Sequence, residues 1–316
     1  MTYAAQGKIQ ASDYNTLVGQ VNGLTGTGTG RSGLGQTGIA TIPAGNIVDN
    51  NEWSTLRSAI ISIAAHQGTS IATIPTINEG NIVTYLSSIK NGVASIVNNV
   101  TNASAQGSSS STTTSFAGTW SNQLVFTHVI TFASGDKARY FFNAGGQIAI
   151  SFSKTGSSSM DAIWQSLVAK IGTLYISAGG PLGTETSTIV GTNYTGFTQT
   201  SGSASKDLGR IQYDTSRGYY KLTTSDSVVF KQTAQTSGTT GYYGSSIEVK
   251  VKTNGTQGTN GDNGSTVTIT TIWDEIPDGL LSSVGTSTIV TLKPPSTANI
   301  TNTWGTVTVS GSVTGS

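Results

Sequence analysis

Apolar residues recur with a helical period along the first hundred positions, and with a period of two along much of the rest. Ile82, Tyr85, Leu86, Ile89, Val93, Ile96, Val97 and Val100 fall on one stripe at i, i+3, i+4 and i+7, which predicts an amphipathic helix. Trp53, Leu56, Ile60 and Ile63 do the same, with Asn50 or Asn51 as the expected N-cap. A fainter copy runs through Tyr14, Leu17, Val18 and Val21, capped by Ser12 or Asp13. The peptides ahead of the helices are repeated too. Ile39-Ala40-Thr41-Ile42-Pro43 returns as Ile71-Ala72-Thr73-Ile74-Pro75, and Gly45-Asn46-Ile47-Val48 returns as Gly80-Asn81-Ile82-Val83. Three short units are expected, each an extended segment followed by a helix. Each buries its stripe on the others or on another subunit.

The glycine run Gly26 to Gln36 lies between the first two units, where glycine lets the backbone bend sharply or approach another chain closely. After the third helix, the Ser/Thr-rich stretch from Gln106 to Ser115 reads as a linker. From Phe116 onward, strands are predicted at Leu124 to Phe132, Ala138 to Phe152 (after a turn at Ser134-Gly135-Asp136), Leu174 to Ser177, Tyr219 to Thr223 and Ser227 to Thr233. Ile247, Val249 and Val251 alternate with Glu248, Lys250 and Lys252 as in a half-buried antiparallel strand, answered by Thr266 to Trp273. Ser287 to Leu292 and Thr306 to Val309 complete the set. One helix interrupts, with Ser158 and Asp161 as a capping box and Met160, Ile163, Trp164, Leu167, Val168 and Ile171 as its stripe. The expected fold is α+β: an N-terminal helical repeat module (1–105), a linker (106–115), and a mainly antiparallel β-sandwich domain (116–316) with one packed helix.

Composition sharpens this reading. Only 10% of the residues are charged and the net charge is +1, against roughly a quarter charged in an average domain. No broad field attracts nucleic acid or anionic lipid. Cysteine is absent, which excludes disulfides, thiolate nucleophiles and cysteine–zinc sites. The opening residues lack a signal-peptide pattern, and no stretch is long and apolar enough to span a bilayer. A product made in the cytoplasm, with no membrane insertion, is expected.

Candidate chemistry is sparse. His128 shares a strand face with Phe126 and Ile130, which suits a structural or interface histidine better than a base. His66 ends the second helix, where a positive charge is mildly stabilising. Asp274, Glu275 and Asp278 form the one dense acidic cluster. Two carboxylates facing each other across a groove suit glycoside hydrolysis, but adjacent residues at a strand end point to opposite sides, so a solvated turn is the favoured reading. The loop Asn254 to Gly264 carries oxygen ligands and glycines but lacks the terminal glutamate of a calcium loop. It reads as a hairpin tip. No phosphate-cradling glycine motif follows a strand, and no cofactor or metal is expected. Tyr194, Phe197, Tyr219, Tyr220, Tyr242 and Tyr243 are candidates for stacking on a glycan, or equally for core and interface.

Ala11-Ser12-Asp13-Tyr14-Asn15, with the glycine run ending in Gly35-Gln36, resembles the N-terminal module of virion structural proteins of tailed bacteriophages, especially phages of cyanobacteria. Phe132 to Gln147 is similar to a β segment of those proteins, and Tyr220 to Asp226, Ile247 to Val251 and Thr270 to Asp278 look like their C-terminal portion. The resemblance implies a non-enzymatic particle component that partners other virion proteins. A tail fibre, baseplate or neck appendage is expected, as a homo-oligomer with a trimer favoured. Tyr14, Leu17, Trp53, Leu56, Tyr85, Leu86 and Ile89 are then the candidate assembly interface. A receptor-binding module gripping host glycan through Tyr219, Tyr220, Tyr242 and Tyr243 is the alternative, and a capsid decoration protein a second. An enzyme using Asp274, Glu275 or Asp278 ranks last.

Overall fold

The computed structural model describes residues 11–78, 82–179, 186–200, 202, 210–234, 244–275 and 285–315, and of residues 82–85 the backbone alone. Helices α1 (Ala11–Thr25), α2 (Asn50–Gln67) and α3 (Ile82–Asn98) pack on one another. Tyr14, Leu17, Val18 and Val21 meet Trp53, Leu56, Ile60 and Ile63, and Leu86, Ile89, Val93 and Ile96 close the bundle, all buried. Tyr14 and Trp53 contact edge to face, with centroids 5.2 Å apart. Val97, the stripe's exception, is exposed.

The caps differ from expectation. Asp49 caps α2, in a reciprocal box with Glu52, while Asn50 and Asn51 are already helical. Ser12 and Asp13 lie inside the first turn of α1. A carboxylate one residue earlier also satisfies the helix's free N–H groups and suits the positive end of its dipole.

The repeated Ile-Ala-Thr-Ile-Pro peptides are straps laid back along the helix that precedes them. Asn22 exchanges two hydrogen bonds with the backbone of Ile39, both 2.8 Å, and Asn15 does so with Ile42 at 2.8 and 2.9 Å. Residues seven apart on a helix share a face, so two amides one strap-length apart imitate a strand partner. In the second copy, Arg57 Nε donates to the Ile74 carbonyl at 2.7 Å.

The β portion runs β1 (Ser110–Phe116), β2 (Gln123–Thr131), α4 (Gly135–Asn143), β3 (Gln147–Lys154), α5 (Ser159–Ile171), β4 (Thr173–Ile176), β5 (Ser187–Ile189), β6 (Thr192–Tyr194), β7 (Phe197–Thr200), β8 (Arg210–Tyr213), β9 (Ser227–Thr233), β10 (Ser246–Thr253), β11 (Thr266–Asp274), β12 (Thr286–Lys293) and β13 (Thr308–Gly315). One sheet has the order β1-β12-β3-β4-β7 and the other β13-β2-β11-β10-β9-β8, while β5 and β6 form a separate hairpin. Every named strand pair is antiparallel. The fold is α+β with a sandwich-like pair of sheets. The pairing of β10 with β11, Val249 opposite Thr271, follows the alternation read from the sequence.

The sandwich is fastened where its edges meet. On one side Tyr213 Oη of β8 accepts from the Gln199 backbone N–H of β7 at 2.7 Å. On the other, Thr114 of β1 bonds His128 Nε2 of β2 at 3.0 Å, where β1 runs beside β13. Helix α5 touches β3 of one sheet and β9 of the other, and its Trp164 packs on Trp120 and Trp273 at 5.3 and 5.2 Å. Its predicted Ser158–Asp161 capping box is present.

Three predicted elements are otherwise. Residues Gly135–Asn143, read as a turn and a strand, form α4, whose N-cap Ser134 accepts from the Lys137 N–H at 3.2 Å. Tyr140-Phe141-Phe142 looks like a strand because all three are apolar in succession, yet a helix buried on nearly every side hides all three. Tyr219–Lys221 is a 3-10 turn rather than a strand. Within the expected linker, Ser110–Phe116 is β1, held to β12 through seven register pairs and through hydroxyl pairs Ser111–Thr291 and Ser115–Ser287, both 2.8 Å. Ser/Thr-rich composition describes an exposed edge strand as well as it describes a linker.

Candidate functional site

The assembly residues expected from the helical stripes have their partners inside the chain. Tyr14, Leu17, Trp53, Leu56, Leu86 and Ile89 are all at most 5% exposed. They build the core of the helical module and offer no free surface. Tyr85 belongs to α3, but its side chain lies outside the described residues.

Polar chemistry gathers instead where the glycine run meets α4. Asp136, Arg139 and Asn143 stand three and four residues apart, on one helix face. Arg139 is fully buried. Its guanidinium donates to the carbonyls of Ser32 (2.7 Å), Gly30 (3.4 Å) and Thr27, and it pairs with Asp136 at 3.1 Å. Asn143 Nδ2 donates to Gly30 (2.9 Å), Ser32 (3.3 Å) and Gly33 (3.0 Å). Tyr220 Oη completes the clasp, sharing its proton between Gly30 O at 2.6 Å and Asn143 Oδ1 at 2.7 Å. These contacts explain the glycines. Gly33 has φ +96°, and a β-carbon there would lie 2.2 Å from Thr27 O; Gly35 has φ +69°, and its β-carbon would enter the Tyr140 ring. The close approach expected of this run is to its own chain.

The loop between β10 and β11 closes over the same place. Gly30 N–H donates to Asn260 O at 2.8 Å, and Asn260 Nδ2 to Asp136 Oδ2 at 3.2 Å. Asp262 organises the loop: its Oδ1 accepts from Gln257 and Gly264 N–H groups, both 3.0 Å. Gly30, Arg31, Tyr220, Thr256, Gly261, Asp262 and Asn263 line a cleft of about 210 Å³.

Of the candidate glycan aromatics, Tyr219 is fully buried, stacked on Phe142 at 4.5 Å and donating to Gly264 O at 2.7 Å. Burial holds its phenol above the ordinary tyrosine range. Phe197 is buried, and Tyr194 is half-buried against Tyr175. Tyr220 borders this cleft, and burial raises its phenol too. Tyr242 and Tyr243 lie outside the described residues. In the acidic cluster, Asp274 accepts from Gln123 Nε2 at 3.2 Å, Glu275 is buried, and Asp278 lies outside the described residues. Among the described residues, no group of three or more histidine, aspartate or glutamate side chains is placed to hold a metal ion. No described helix is long and apolar enough to cross a membrane.

Both histidines are buried. His128 faces the sandwich interior, and His66 at the end of α2 accordingly carries no helix-end charge. Burial holds each imidazole down to about 4, partly offset at His66 by a hydrogen bond to the Ala144 backbone. A depressed folded value means stability is fully present above the unfolded value of 6.5 and is lost as pH falls toward about 4. Each histidine is expected to contribute roughly 3 kcal/mol to that loss. Urea unfolding from pH 7 to pH 4.5 measures it, and His128→Gln should flatten the curve by its share. A profile that is level across this window in the parent protein would refute the assignment.

No family model matches the chain, and neither a curated protein nor a solved structure does.

Proposed function

We propose that the chain is a non-enzymatic structural component of a tailed-phage particle: a tail-associated protein, such as a fibre, baseplate or neck appendage, that works by assembling with its own copies and other virion proteins. The sequence resemblance motivates the particle. The observation that carries assembly is the outer face of β13, β2 and β11, at one side of the six-stranded sheet. There Thr308, Ser310, Ser312 and Thr314 of β13 lie beside Val125, Thr127, Val129 and Thr131 of β2, followed by Thr266, Thr268, Thr270 and Ile272 of β11. None of these is charged; charge begins at the border of the patch, with Asp274 at the end of β11 and with Glu248, Lys250 and Lys252 along β10. Interface centres are depleted in charge because desolvating an ion is costly, whereas hydroxyls re-form hydrogen bonds across a contact. The helical stripes are already consumed in the core, so association falls to this face.

Mass photometry of the purified chain should show a homo-oligomer. Thr127→Lys with Ser310→Lys should weaken its association by at least about tenfold, leaving circular dichroism and Tm unchanged. A parent protein that is monomeric and never joins particles would overturn the proposal.

A further inference from the structure

One flank of the sandwich is sewn shut and the other is not. On the shut flank β7 and β8 are only four residues each, and Gln199 of β7 bonds both Tyr213 and Arg210 of β8. On the other flank β13 ends its sheet with eight residues, paired to β2 along its whole length without a bulge. In an antiparallel ladder, alternate residues turn both N–H and C=O to the same side. Half of the β13 residues therefore present both groups away from β2, and among the described residues these groups form no backbone–backbone hydrogen bond. Ser310, Gly311 and Ser312 at the centre of the strand are exposed. Natural edge strands are guarded by charge, proline, a bulge or shortness, and β13 has none of these. β1, the edge of the facing sheet on this flank, is likewise uncharged.

The sequence of β13 says what fits there. From Thr308 to Thr314 it reads Thr-Val-Ser-Gly-Ser-Val-Thr, the same in either direction about Gly311. Set antiparallel beside a second copy of itself on that centre, it places Thr308 opposite Thr314, Val309 opposite Val313 and Ser310 opposite Ser312. Each residue meets its own kind. Such pairs stabilise adjacent strands, with hydroxyl bonding hydroxyl on one face and valine packing on valine on the other. The half-buried Val309 and Val313 belong to the inner face, together with Gly311, where a β-carbon would lie 2.0 Å from Thr114 Oγ1. A contact in which the same patch serves on both copies is the isologous kind that a two-fold axis produces. We infer that β13 pairs antiparallel with β13 of a second copy across a two-fold axis at Gly311, joining two six-stranded sheets into one. This pairing rests on the self-assembly proposed above and names its partner strand. The uncharged face of β13, β2 and β11 then continues across the axis, and a pair of copies replaces the expected trimer as the first unit of assembly.

The absence of cysteine allows a clean probe of this register. Directly opposite residues of an antiparallel pair have Cα atoms about 4.5–5.5 Å apart, within disulfide reach, whereas diagonal neighbours stand about 7–8 Å apart. Full-length Ser310→Cys and Ser312→Cys proteins, mixed while dilute, concentrated and oxidised in air, should give a disulfide-linked dimer as the main species. Either variant alone should give little of it. In the parent protein, one alternate set of amides between Thr308 and Thr314 should exchange slowly in the oligomer, and fast once dilution separates the copies. An oligomer whose mixture cross-links no better than the single variants overturns this pairing, and so do β13 amides that ignore dilution. Either result leaves assembly through the sheet face standing. A parent protein that is monomeric overturns both.

Discussion

Lys154→Met is expected to destabilise the protein by about 3–5 kcal/mol. Lys154 ends β3 and Asp161 stands in the first turn of α5; their side chains form an ion pair in which both are fully buried. Asp161 is also half of the capping box, its Oδ2 accepting from the Ser158 N–H at 3.0 Å, while Lys154 Nζ donates to Thr155 O at 2.7 Å. Removing the ammonium leaves a carboxylate in the interior with its desolvation penalty uncompensated. For a chain of this size the Tm should fall by roughly 10 °C. The double variant Lys154→Met, Asp161→Asn should recover a good part of the loss, because the amide is neutral and can still accept at the cap. Thermal unfolding of the three proteins decides it. If the double variant were no more stable than Lys154→Met alone, an isolated buried charge would not be the cause.

Arg139→Met should cost a similar amount, roughly 4 kcal/mol, from the loss of charge-assisted hydrogen bonds to three loop carbonyls and Asp136. Its signature is different because it is local. Arg139 is the fork that holds the glycine run against α4, so amide hydrogen exchange should accelerate across residues 26–36 well before the sandwich opens. Arg139→Lys should fall between parent and Met, since one ammonium cannot reach the same spread of carbonyls. Unchanged exchange across the glycine run in Arg139→Met would show that the clasp is held by Asn143 and Tyr220 without it.

Much of the fold was legible because its determinants are local. The Ser158–Asp161 box, the stripes of α1 to α3, and the alternation from Ile247 to Val251 each declare themselves within one element, through a repeat of 3.6 or of two. The aromatic run at Tyr140-Phe141-Phe142 shows where this fails. Periodicity needs a polar face to contrast with, and a segment buried on nearly every side has none. Ser110–Phe116 failed for the opposite reason: an edge strand of hydroxyls has too little apolar patterning to distinguish it from a linker.

The site was less legible than the fold. The glycine run, the loop Asn254 to Gly264 and Tyr220 each drew notice separately, yet nothing in their spacing says that they meet. Gly30 and Asp262 line one cleft although most of the chain separates them. Asp262 had a usable signal, a lone carboxylate among glycines and asparagines, but that pattern also fits an exposed turn. Asn15 and Asn22 had a clearer one, seven residues apart on a helix face beside a repeated peptide.

By itself, the sequence determined the class of fold and the absence of thiol chemistry, because composition and short-range periodicity act through neighbouring residues. Tertiary structure alone decided that the helical stripes face one another, that Arg139 is spent on loop carbonyls, and that Asp262 holds the β10–β11 loop through its Oδ1. Burial and pairing belong to residues distant in the chain, and only the closed fold brings them within hydrogen-bonding distance.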